Sequence, residues 1–215
     1  IMAQQISKIT ELKENITTAF IIDSAERLPV RLFSESEKQF INEKLKEDSE
    51  YTFYKYPNIF FFHKALKDTA GYLKSESARK AGAVFFELLK KEKVGSVQLT
   101  GLTGSDLVLP FLEGFILSGY SFSKYKKKKD DFIINEVFVV NDGITDDQIR
   151  EMKILSEAVF HARDLINEPL SYLTAERLSK EIERLGKDAK FSVEILNKKK
   201  IESLRMGGLL AVNRG

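Results

Sequence analysis

Apolar positions along the chain switch between a period near two and a period near 3.6, and the switches mark its elements. Thr17–Asp23 (TTAFIID) is β-branched and apolar throughout, which reads as a buried first strand. Ser34 and Glu37 form a capping box, and Phe40, Ile41 and Leu45 follow at helical spacing to about Glu47. Two aromatic runs, Tyr51–Tyr56 and Asn58–His63, flank Pro57 as a hairpin or a pair of strands. A helix opens at Ser75 or Ser77 and runs to about Lys91, with Ala78, Ala81, Val84, Phe85 and Leu88 on one face. A strand at Ser96–Thr100, a glycine-rich turn at Gly101–Ser105, an apolar helix from Asp106 to about Tyr120 and a strand at Phe132–Val140 complete this part. Helices alternating with short apolar strands predict an α/β domain whose mixed or mostly parallel sheet is flanked by helices.

The turn Asn141-Asp142-Gly143 is the expected boundary. A helix over Thr145–Glu168 follows, opened by a second capping box, Thr145 with Gln148, and stopped by Pro169. Ile149, Met152, Leu155, Val159, Ala162 and Ile166 form its apolar stripe. At this length it spans roughly 35 Å, enough to link one domain to another. The pattern then restarts: helix at Thr174–Leu185, strand at Lys190–Leu196, short helix at Lys198–Leu204, strand at Gly208–Asn213. The predicted organisation is a domain at 1–143, a linker helix at 144–169, and the start of a second α/β domain at 170–215. That last piece is shorter than the roughly 50 residues a stand-alone core needs. Its final strand, GLLAV, is apolar on both faces, as in the middle of a covered sheet. The expectation is therefore a truncated chain.

Composition narrows the classes. Hydrophobic residues make up 43% and charged residues 31%, ordinary for a globular protein, and a net charge of +2 shows no overall bias toward nucleic acid or anionic lipid. The chain has no cysteine, which removes disulfides, thiolate metal sites and a cysteine nucleophile. No apolar run approaches the roughly 20 residues of a membrane span, and no signal-peptide pattern opens the chain. The expected location is the cytoplasm.

Three features invite chemistry. TGLTGS (Thr100–Ser105) lies between a strand and a helix, where amide N–H groups hold phosphates, but it lacks the spacing of a dinucleotide or P-loop motif. We read it as a tight turn and keep a nucleotide site as the alternative. Lys124 and Lys126–Lys129, interleaved with Tyr120, Phe122 and Tyr125, suit a nucleic-acid backbone, yet a solvated loop anchored by its aromatics explains them as well. His63 and His161 are the only histidines; His161 and Asp164 sit three apart on one helix, short of the three or four ligands of a metal site. No nucleophile elbow, HExxH or aspartate-rich cation loop appears. No catalytic, cofactor-binding or metal-ligating residue is assigned.

Three blocks nevertheless resemble the leucyl aminopeptidases, the cytosol aminopeptidase family. ARDLINEP (162–169) with LTAERL (173–178) is similar to the helix end that leads into the family's catalytic domain. MGGLLAVNRG (206–215) is similar to the strand just ahead of its active site. Glu113, Gly114, Leu117, Tyr120, Phe122, Tyr125 and Lys126 match a stretch of its N-terminal domain. The resemblance implies a macro-domain-like N-terminal domain, a connecting helix, and the first α-β-α-β segment of a zinc-exopeptidase-like domain. It also implies a homo-hexamer that cleaves N-terminal residues from peptides with two divalent cations, zinc with manganese or magnesium. The family's metal ligands and catalytic residues would follow Gly215, so the 215-residue chain is expected to hold no cofactor and to be inactive, serving assembly or substrate access. A binding module for an ADP-ribose-like nucleotide or for DNA is the alternative, although nucleic acid is not the expected partner.

Overall fold

The computed structural model describes residues 5–67, 69–102, 107–127, 132–141 and 143–212. The chain divides into two compact units, Ile1–Ala162 and Arg163–Gly215.

In the first unit six strands form one sheet in the order β1-β6-β5-β2-β4-β3. They are β1 (Gln5–Ile9), β2 (Thr17–Ile22), β3 (Glu50–Lys55), β4 (Asn58–Lys64), β5 (Ser96–Gly101) and β6 (Glu136–Val140). All neighbours run parallel except β3 and β4, the expected hairpin, whose turn carries a cis Tyr56–Pro57 bond. The expected first strand is in fact the second. β1 escapes sequence reading because it is a five-residue edge strand in which only Ile6 is buried. β6 starts at Glu136, four residues later than predicted.

Helices cover both faces. α1 (Glu35–Glu47) keeps the predicted capping box: the Glu37 amide donates to the Ser34 hydroxyl, and the Glu37 carboxylate accepts from the Ser34 amide at 2.7 Å. It buries Ile41 and Leu45 against Phe20, Ile22, Phe33, Phe60 and Phe62. The opposite face carries α2 (Gly71–Glu92), α3 (Val108–Ser118) and the start of α4 (Asp146–Asn167), packed on Ile21, Phe61, Val97, Leu99, Val137 and Val139. Alternation along β4 explains its continuous aromatic run, because Phe60 and Phe62 face one layer while Phe61 faces the other. α2 begins several residues before Ser75, at a point where no side chain caps its N-terminus and so no signal marks it.

α2 and α3 approach each other backbone to backbone. A Cβ at Gly82 would run into the Phe111 carbonyl oxygen and lie 2.8 Å from the Phe115 nitrogen. A Cβ at Gly114 would run into the Arg79 carbonyl oxygen and lie 2.7 Å from the Arg79 Cα. Each helix thus offers a glycine to the other's backbone, and neither obstruction can be relieved by moving a side chain.

The second unit differs from the predicted α-β-α-β pattern. It holds the end of α4, then α5 (Ala175–Ala189), α6 (Lys198–Ser203) and α7 (Gly207–Val212). Neither expected strand forms. Lys190 caps α5 in the left-handed region, and the Phe191 amide donates back to the Gly186 carbonyl at 2.9 Å. The segment expected as a strand therefore folds back on the helix, with Val193 over Gly186. The expected GLLAV strand is α7. A strand exists only by pairing with a neighbour, and neither segment pairs with any described residue; a helix satisfies its hydrogen bonds within itself. Gly186 alone is buried among the described residues of this unit, while Leu170, Leu209 and Val212 are largely exposed. None of the helices among the described residues is long and apolar enough to cross a membrane.

The glycine crossing gives the first prediction. Gly82→Ala and Gly114→Ala should each lower the unfolding free energy of the first unit by at least about 2 kcal/mol in urea titrations. Gly71→Ala, with open space around its Cβ, should change it by less than about 1 kcal/mol.

Candidate functional site

The motif residues of the first unit lie on α3 and in the segment that follows it. The Arg79 guanidinium donates to the Glu113 carboxylate at 2.7 Å, pinning α2 to α3 beside the Gly114 crossing. Tyr120 lies against Phe160 with ring centres 5.4 Å apart. Phe122 contacts Tyr125 at 5.9 Å, and the Lys124 ammonium stands 5.6 Å from the Tyr125 ring centre. The aromatics of the basic stretch thus make ring contacts of their own. Lys128, Lys129, Asp130 and Asp131 lie outside the described residues, as do Thr103, Gly104 and Ser105 of the glycine-rich turn. Of that turn, Thr100 and Gly101 end β5, and the Leu102 amide donates to the Ile21 carbonyl at 3.0 Å.

A cavity of about 440 Å³ opens between α3 and α4, with Leu109, Leu117, Leu155 and Val159 on its walls. Its polar lining is already committed in part: Arg79 pairs with Glu113, and the Gln148 side chain accepts from Thr145 in the α4 capping box. The predicted stripe of α4 is split here. Ile149 and Met152 are buried, whereas Leu155 and Val159 are exposed.

His63 is completely buried, and both ring nitrogens lack a hydrogen-bond partner. Its cross-strand partner is Glu50, whose carboxylate stands 4.0 Å from Nδ1, beyond hydrogen-bond reach. Burial pushes the His63 pKa down to about 4, so the imidazole is neutral at pH 7. Burial, and then the Asp48 charge, raise that of Glu50. A neutral, unpartnered imidazole under Phe111 is a core residue with an unmet polar group, not an acid–base catalyst open to substrate. His161 is half-buried at the end of the first unit, and Asp164 is exposed in the second. Among the described residues no group of three or more histidine or carboxylate side chains can hold a metal ion. The two divalent cations that the resemblance implies therefore find no fitting ligand set among them.

The His63 geometry gives a prediction with a defined sign. In the unfolded chain histidine takes up a proton near pH 6.5, but in the fold only near 4, so His63 costs stability as pH falls through that window. Glu50 acts in the opposite sense near the carboxylate range, because its pKa is raised by folding. His63→Leu should therefore gain on the parent by up to about 3 kcal/mol between pH 6.5 and 4, measured by urea unfolding at several pH values. A difference that stays constant across this range contradicts the assignment.

Comparison with known proteins places these features. The model of the cytosol aminopeptidase family, catalytic domain, matches residues 160–215. A probable cytosol aminopeptidase of Clostridium perfringens is 33% identical over 127 residues, covering 56% of this chain and 25% of that protein. A mutant of tomato leucine aminopeptidase shares the fold with a TM-score of 0.68 at 12% identity, over 94% of this chain and 46% of that one. The bottromycin maturation enzyme BotP, in complex with Mn, gives 0.67 at 18% identity over 92% of this chain and 42% of that one. The chain thus spans about a quarter of the length of the Clostridium relative. The catalytic-domain match and the sequence relatives make this chain similar to the cytosol aminopeptidases, and the solved structures show that it shares the leucine aminopeptidase fold.

Proposed function

We propose that these residues belong to a metal-dependent leucyl aminopeptidase that removes unblocked N-terminal residues, such as leucine, from peptides in the cytoplasm. In this reading 1–143 is a non-catalytic, macro-like domain, 144–169 a connecting helix, and 170–215 the opening of the peptidase domain. The chain's role is assembly of a homo-oligomer, a hexamer as the family resemblance implies, and control of substrate access. The cleavage chemistry, with zinc and manganese or magnesium, belongs to residues outside these 215. One coincidence carries the reading: the catalytic-domain match falls on the unit whose described residues bury only a glycine. A segment that leaves its apolar side chains uncovered is what part of a larger α/β domain looks like by itself. The manganese bound to the structurally similar maturation enzyme agrees with a metal-dependent parent.

Leucine-amide hydrolysis with added manganese tests this directly. The 215-residue chain should be inactive, and the product of the complete coding region should be active. Turnover by the short chain would overturn the placement of the chemistry, and silence from both would overturn the peptidase reading.

A further inference from the structure

The cavity between α3 and α4 has one polar end and one apolar end. β5 and β6 are parallel neighbours, and each hands the chain to a helix that runs back over the sheet, so α3 and α4 start from the same edge. Tyr120, just past the end of α3, meets Phe160 near the end of α4, as this direction requires. Pro110, Gln148 and Glu151 therefore stand at the starting end of the cavity, and Leu117 and Val159 at the far end. Met152 and Ser156 are buried at its base. Gln148 Oε1 accepts from the Thr145 amide at 2.9 Å and from its hydroxyl at 3.3 Å, which leaves Nε2 without a partner among the described residues. The Glu151 carboxylate, exposed at the rim, has no partner among them either. The other charges of the lining cancel, since Arg79 donates to Glu113 at 2.7 Å. Glu76 also approaches Arg79, at 4.0 Å, but has Lys80 at 3.8 Å to balance it. Glu151 thus gives the lining one net negative charge.

We infer that this cavity binds a small aliphatic ammonium compound: a primary ammonium, a hydrogen-bond acceptor on the neighbouring carbon, and a branched alkyl chain. The ammonium meets the Glu151 carboxylate, Gln148 Nε2 donates to the acceptor, and the alkyl chain lies among Leu117, Leu155 and Val159. Those last two are the exposed pair that splits the apolar stripe of α4, and the alkyl chain covers them. The volume of about 440 Å³ falls in the usual range of small-molecule sites, roughly 300–1,000 Å³. A neutral alkyl ligand leaves the Glu151 charge unanswered, and an anion adds to it. Arg79 does not invert this preference, because two carboxylates already face it. The inference does not rest on the peptidase reading, since it uses only side chains of the first unit.

Calorimetric titration of the full 215-residue chain with leucinol tests it, because leucinol carries all three features and no hydrolysable bond. Binding with a Kd below about 1 mM is expected. Glu151→Gln should weaken it at least about tenfold, whereas Glu157→Gln, the same charge change on α4 outside the cavity, should leave it within about twofold. Val159→Trp, which fills the alkyl end, should abolish it. All three positions are exposed, so urea unfolding midpoints should match that of the parent. A second measurement needs no variant: leucinol should shift the amide resonances of 148–159 and leave those of α1 in place. Isohexanol, which lacks the ammonium, should do neither. A parent that gives no heat and no shifts overturns the proposal. So does isohexanol binding as tightly as leucinol, or leucinol binding that Glu151→Gln leaves unchanged.

Discussion

The contact on which the first unit depends is the crossing of α2 and α3 at two glycines. Gly82 and Gly114 let each helix rest on the other's backbone, which brings Phe85, Phe111 and Phe115 down onto the sheet as one layer. Helices usually pack at 8–10 Å because side chains stand between them, and a glycine at the crossing removes that spacer. The ion pair of Arg79 with Glu113 sits beside the crossing and links the two helices. Glu113 and Gly114 are neighbours in the motif that carries the family resemblance. Their adjacency has a mechanical meaning: Glu113 supplies the pin and Gly114, the next residue, the close approach.

The same physics separates the two units. The first buries aromatic side chains on both faces of a six-stranded sheet, with Phe20 and Phe33 in an edge-to-face contact at 5.8 Å on one side and Phe61 and Phe85 at 5.2 Å on the other. The second has short helices stabilised by local ion pairs, such as Arg184 with Glu181 and Asp188, which are exposed and contribute little. Its α5 has a strong apolar stripe, Leu178, Ile182 and Leu185, with no described layer of its own unit burying it.

Much of the first unit was legible because its signals are local. The capping boxes at Ser34 and Thr145 announce their helices, and the aromatic run around Pro57 announces the hairpin. β1 was not legible, since an edge strand with one buried residue carries almost no pattern. The start of α2 was not, since nothing caps it. The strands expected after Pro169 failed for a different reason: apolar sequence states that a segment wants cover, whereas strand structure requires a partner to bond. The burial of His63 was also out of reach, because it depends on Phe111, distant in sequence, closing over the end of β4. What the motifs did disclose was a resemblance, which the catalytic-domain match over residues 160–215 agrees with.

Hydrogen–deuterium exchange on the intact chain tests the central claim, that the first unit is a self-supporting fold and the second is not. Amides of β2, β5, α2 and α3 should exchange only through global unfolding, while those of 175–212 should exchange near the rate of an unstructured peptide. Protection of α5 and α7 equal to that of β2 would contradict the account.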